Sequence, residues 1–140
     1  MTSDETIVEL MIVSTHYAPA DISKAIGLEP DRSWRIGDRK GKSAMTQKAN
    51  GWVLAAGDSR SIPLDFQIAS LLERLRPVSR RVREMSTQAR VVFACVIYTQ
   101  ERPPLAFSNA VISEIAALGA SFEIDLYWVA DNQSGDTGDS

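Results

Sequence analysis

The sequence predicts an α+β domain, a two-layer sandwich in which three helices cover one face of a five-stranded mixed sheet. Three observations carry this expectation. The first and last apolar segments alternate apolar and polar residues with the period of a half-buried strand. Three intervening stretches repeat their apolar residues with helical spacing. The order of elements is βαββαβαβ, whose first six match a ferredoxin-like unit with one helix and one strand appended.

The first strand is Ile7–Ser14. Val8, Leu10 and Ile12 fall on one face, and Glu9, Met11 and Val13 on the other. Pro19 suits the first turn of a short helix with Ile22, Ala25 and Ile26 as its stripe, and Gly27 suits its C-terminal cap. Ser33–Ile36 and Gly51–Ala55 read as two strands, with a turn at Asn50-Gly51 leading into the second. Pro63 opens a long helix carrying Ile68, Leu71, Leu72, Leu75, Val78, Val82 and Met85, which Pro77 should break or kink. Arg90–Tyr98 is apolar almost throughout, the mark of a central strand. Ser108 is a candidate N-cap for a third helix, with Val111, Ile112, Ile115 and Leu118 turned inward and Gly119 at its end. Phe122, Ile124, Leu126 and Trp128 alternate with Glu123, Asp125 and Tyr127 in a fifth strand. The expected core includes Ile12, Ile26, Leu72, Leu75, Ile115, Leu126 and either Val92 or Phe93.

The chain reads as a single domain over residues 1–130, followed by a flexible acidic tail over 131–140. With 44% hydrophobic and 24% charged residues it has the balance of a globular protein. A net charge of −3 argues against a dedicated nucleic-acid binder. No apolar run approaches the ~20 residues of a membrane span. Asp4 and Glu5 stand where a secretory signal carries Lys or Arg, so the expected compartment is the cytoplasm. The single cysteine, Cys95, lies in the apolar run Val91–Ile97 and reads as a buried small side chain.

No catalytic constellation emerges. His16, in Ser14-Thr15-His16-Tyr17, could be a general base beside a hydroxyl or an ordinary loop histidine. One His and one Cys cannot build a zinc site without several carboxylates, so neither metal nor cofactor is expected. Glu123 and Asp125 share a strand face, which is more often solvated than catalytic. Gly37-Asp38-Arg39-Lys40-Gly41-Lys42-Ser43 falls one residue short of a phosphate loop, and no helix follows it. What remains is a concentration of charge. Arg32, Arg35, Arg39, Lys40, Lys42 and Lys48 stand against Asp31 and Asp38, with Trp34 and Trp52 in the neighbouring strands. Arg and Trp are frequent interface anchors. The competing reading is a solvated hairpin with tryptophan rings capping the core. A second basic group, Arg74, Arg76, Arg80, Arg81 and Arg83, suits the C-terminal end of a helix.

Several segments together resemble a known family. They are Ile22-x-x-x-Ile26-Gly27-Leu28-Glu29-Pro30, Trp34-x-x-Gly37-Asp38, Gly51-Trp52-Val53-Leu54, Leu71-Leu72-x-x-Leu75, Ile115–Ala120 and Ile124–Tyr127. In that order and spacing the chain resembles a widespread bacterial family of uncharacterised proteins, domain of unknown function 4279. The resemblance spans nearly the whole chain and brings no catalytic residues with it. Some relatives look like immunity proteins, small cytoplasmic partners that neutralise a toxin, which implies a binding role by analogy.

The functional expectation is a non-enzymatic module that binds another protein, through Trp34, Arg35, Asp38, Arg39, Lys40, Lys42, Trp52 and His16. The alternative is a small-molecule or anion binder, or an enzyme, with a pocket near His16, Arg35 and Asp38. Met11 and Val13, apolar on a face that the helices leave bare, suggest a homodimer through the uncovered side of the sheet.

Overall fold

A computed structural model describes residues 5–57 and 59–129. The elements are β1 (Glu5–Ser14), α1 (Pro19–Ile26), β2 (Arg32–Trp34), β3 (Asn50–Ala55), α2 (Leu64–Leu75), a 3₁₀ turn (Arg76–Val78), α3 (Ser79–Met85), β4 (Arg90–Thr99), α4 (Asn109–Ala117) and β5 (Ser121–Trp128). The sheet order is β2-β3-β1-β4-β5. All neighbours are antiparallel except β4 and β5, which are parallel and therefore need α4 as their crossover. This is the α+β architecture the sequence predicts.

The period-2 pattern of β1 places Thr6, Val8, Leu10, Ile12 and Ser14 in the buried layer. Trp52 and Leu54 of β3, and Val91, Phe93 and Cys95 of β4, join them on that face. All four helices send side chains to the same cluster: Ile22 and Ile26, Ile68 to Leu75, Val82 and Met85, and Ile115. Val92 is also fully buried, although it points away from the helices. Both candidates in β4 are thus covered, with Phe93 in the helix-side core.

The helix ends follow their local chemistry. The Asp21 carboxylate accepts the Ala18 N–H at 3.2 Å, and Gly27 closes α1 at φ 89°, a conformation costly for any residue with a Cβ. Pro77, which lacks an N–H, sits in the 3₁₀ turn dividing the long helix into α2 and α3. The Ser108 hydroxyl accepts the Val111 N–H at 3.2 Å and starts α4. Four arginines of the broken helix tie it to its neighbours. Arg76 pairs with Glu114 at 2.5 Å, Arg74 donates to the Ala55 carbonyl at 2.8 Å, and Arg81 and Arg83 reach the carbonyls of Ile26 and Ala117 at helix C-termini.

Three expectations need correction. Leu126 is 37% exposed and Ile112 is 50% exposed. A nine-residue helix is about 14 Å long, whereas an eight-residue strand is about 26 Å long, so β5 outruns the cover of α4. Asn50-Gly51 is not a turn but the start of β3. The acidic tail over 131–140 lies outside the described residues.

Cys95 is 1% exposed, and burial pushes its thiol up to about 12. It should stay protonated and unreactive at neutral pH. A thiol reagent added at pH 8 should label it only after denaturant unfolds the chain; labelling of the native protein at the rate of a free thiol would contradict its burial.

Candidate functional site

Between β2 and β3 the chain leaves the sheet as a hairpin over residues 35–49. Its base is a turn in which the Asp38 carboxylate accepts the Arg35 N–H at 2.8 Å and the Asp38 N–H donates to the Arg35 carbonyl. Gly37 at φ 92° allows that turn. Above it, the Gly37 and Gln47 N–H groups donate to Gln47 and Asp38 carbonyls respectively, and the Lys40 N–H donates to Met45. Arg39 and Thr46 form a bridge between the two arms.

Asn50 ties this hairpin to the domain. It is 8% exposed; its Oδ1 accepts the Ile36 N–H at 2.9 Å, and its Nδ2 donates to the Tyr17 carbonyl at 3.0 Å. One amide side chain therefore joins the root of the hairpin to the loop that carries His16. Gly51 is needed for a different reason. The Trp34 indole lies over it, and a Cβ at Gly51 would overlap the ring.

The hairpin is exposed and predominantly basic. Arg35, Arg39, Lys40, Lys42 and Lys48 are all exposed, and among the described residues none of them pairs with a carboxylate. Elsewhere Arg32, Arg60, Arg74, Arg76, Arg80 and Arg90 each do so. Asp38, also exposed, is the one acid on the hairpin and leaves an excess of four positive charges there. Two large apolar side chains stand among these cations: Ile36, 51% exposed, and Met45, 63% exposed. Sequence reading passed over both. Ile36 looked like the end of a strand. Met45, a lone large apolar residue in a polar stretch, was the signal available for the other.

The remaining candidates fall elsewhere. Trp34 is half-buried at the root of the hairpin, on the sheet face away from the helices. Trp52 is fully buried and donates its indole N–H to the Ser23 hydroxyl at 3.0 Å, so it presents nothing to a partner. His16 is exposed in the β1–α1 loop. The neighbouring Ser14 hydroxyl accepts the backbone N–H groups of His16 and Tyr17 at 3.0 and 2.9 Å, which makes it a turn-former.

His16 lines a hollow of about 610 Å³ with Tyr17, Asp21, Arg81, Glu84 and Gln88, and another of about 480 Å³ with Ala49 and Thr87. Arg35 borders a different hollow of about 350 Å³, beside Pro19, Ser23 and Glu29. None of these three brings His16, Arg35 and Asp38 together. A cavity of about 560 Å³ lies near the start of β1, lined by Ile62, Pro63, Leu64, Ile97 and Phe107, with Asp65 at its edge. Among the described residues no three His, Cys, Asp or Glu side chains are grouped to hold a metal ion, and no helix is long and apolar enough to cross a membrane.

Neither the curated proteins nor the solved structures contain a match to this chain. A family match does cover residues 4–129, spanning every strand and helix described above, and the chain belongs to that family, a domain of unknown function (DUF4279).

Proposed function

We propose that the protein is a non-enzymatic binding module that takes an acidic protein surface onto the hairpin over residues 35–49. The observation that carries this reading is the contrast in charge pairing. Among the described residues the five cations of this one hairpin have no carboxylate partner, while six of the ten cations elsewhere have one. A like-charged group repels itself, and an acidic partner relieves that repulsion. Arg35 and Arg39 can each grip a carboxylate through two parallel hydrogen bonds. The lysines chiefly speed encounter and make it salt-sensitive. Ile36 and Met45 supply apolar contact among the charges, methionine adapting readily to its neighbour. Such a partner would be met in the cytoplasm, where a lone thiol stays reduced. A toxin is one partner of this kind, and a co-purified toxin would make the module an immunity protein.

The test begins with a partner recovered by co-purification. Arg35→Ala with Arg39→Ala should weaken binding at least about tenfold, equivalent to roughly 1.4 kcal/mol, with an unchanged melting curve. Raising salt should weaken the wild type further than the double variant. Equal affinity of the two proteins at low salt would reduce the hairpin to a solvated loop.

A further inference from the structure

The sheet face away from the helices has a graded composition. Strand register places its side chains in rows. One row is Trp34, Gly51, Val13 and Arg90; the next is Arg32, Val53, Met11, Val92 and Ser121. Below them come Ala55, Glu9, Ala94 and Glu123, then Ile7, Val96 and Asp125. The centre is therefore apolar: Val53 and Val92 are fully buried by their neighbours, and Ile7, Met11, Val13, Ala94 and Val96 are half-buried. The edges differ in sign. The β2 side carries Arg32 beside the Trp34 ring, and the β5 side carries Glu123 and Asp125. Two ion pairs, Arg32 with Glu9 and Arg90 with Glu123, cross the face on either side of Met11.

We propose that a second copy of this chain covers this face, related by a two-fold axis that runs along β1. Face-to-face packing of identical sheets requires a two-fold axis lying in the interface. An axis across the strands would lay β5 on β5 and set Glu123 and Asp125 against their own copies. An axis along β1 lays β5 on β2 instead. It brings Glu123 toward Arg32 of the other copy, and Arg90 toward the face of the other Trp34 ring, where a guanidinium is attracted. Charge complementarity at the sheet edges thus chooses the second arrangement; on the axis itself Met11 and Val13 meet their own counterparts, and Glu9 meets its copy with its charge already balanced by Arg32. With strands about 4.8 Å apart and face residues about 6.7 Å apart, the face measures roughly 500–600 Å² per copy, the low end for a specific interface. The dimer should therefore be reversible. An axis along β1 also keeps both hairpins at the same end of the dimer, so a partner with two acidic sites would be held bivalently.

Sedimentation velocity of the full chain from about 1 to 500 µM, the range in which an interface of this size dissociates, tests the proposal. The wild type should pass from monomer to dimer. Met11→Lys, which buries a cation against its own copy, should raise the dissociation constant at least about tenfold. Asp125→Lys, an exposed edge change that does not threaten the fold, separates the two axes: it should weaken the dimer, because lysine then faces the Arg32 side. A wild type that stays monomeric throughout, or a Met11→Lys variant with an intact melting curve that dimerises like wild type, overturns the proposal. A tighter dimer with Asp125→Lys overturns the axis, since only acid-on-acid packing is relieved by that change.

Discussion

Replacing Trp52 by alanine should destabilise the domain by about 3–5 kcal/mol, the range for truncating a large buried aromatic. The side chain is fully buried on the helix side of β3, and its N–H bonds to Ser23, itself 7% exposed in α1. Truncation empties the space between β3 and α1 and leaves the Ser23 hydroxyl without that donor. A domain of this size has about 5–15 kcal/mol in all, so the variant should be near the limit of folding. Trp52→Phe should lose far less, since it keeps most of the volume and forfeits the hydrogen bond. Trp34→Ala is the control: that ring is half-buried on the other face, over Gly51, and its loss should cost about 1 kcal/mol or less. Urea midpoints followed by far-UV circular dichroism would rank the three. Equal losses for the two tryptophans would contradict their placement on opposite faces.

Asn50→Ala should cost about 2 kcal/mol and loosen the hairpin without changing any of its charges. The substitution removes both the acceptor for the Ile36 N–H and the donor to the Tyr17 carbonyl. Leaving a buried polar group unpaired costs about 1–3 kcal/mol, and water can reach the exposed Ile36 end to recover part of it. Asn50→Asp should rescue only half of the arrangement. Its carboxylate can still accept from Ile36 but faces the Tyr17 carbonyl with no proton to offer. Amide hydrogen exchange should read this directly, with Ile36 and Gly37 accelerating while the centre of β1 stays protected. Partner affinity should fall with it, because the hairpin must then be ordered on binding. Unchanged exchange at Ile36 would show that the hairpin holds itself in place.

The candidate site was partly legible in the sequence. Arg35, Arg39, Lys40, Lys42 and Lys48 declared themselves by composition, and the structure sets all of them on one exposed hairpin. Their lack of carboxylate partners among the described residues could not be read, because pairing is decided by distant strands and helices: Arg32 finds Glu9, 23 residues away, and Arg90 finds Glu123, 33 residues away. Asn50 was legible only as a turn-former beside glycine. Its actual work, joining two loops, depends on β1 and β3 being neighbours. Asp38 stands out by composition, and the structure adds that its carboxylate accepts the Arg35 N–H and so shapes the turn.

Local physics was enough for the elements themselves. Alternation in β1, the caps at Gly27, Ser108 and Gly119, and the break at Pro77 each follow from residues within a turn or two of one another, and the structure keeps them all. Register and cover were decided by the tertiary structure. Trp52 pairs with Ser33, not with Trp34, and that single step sends the two tryptophans to opposite faces of the sheet. A strand's side chains alternate with a period of two, so one residue of register exchanges core for surface. Leu126 and Ile112 carry the same apolar signal as their more buried neighbours, yet both are exposed: Leu126 because a short helix cannot shield a longer strand, Ile112 because it sits on the flank of α4 that turns away from the sheet. Burial at such places is set by what lies opposite, which no run of adjacent residues specifies.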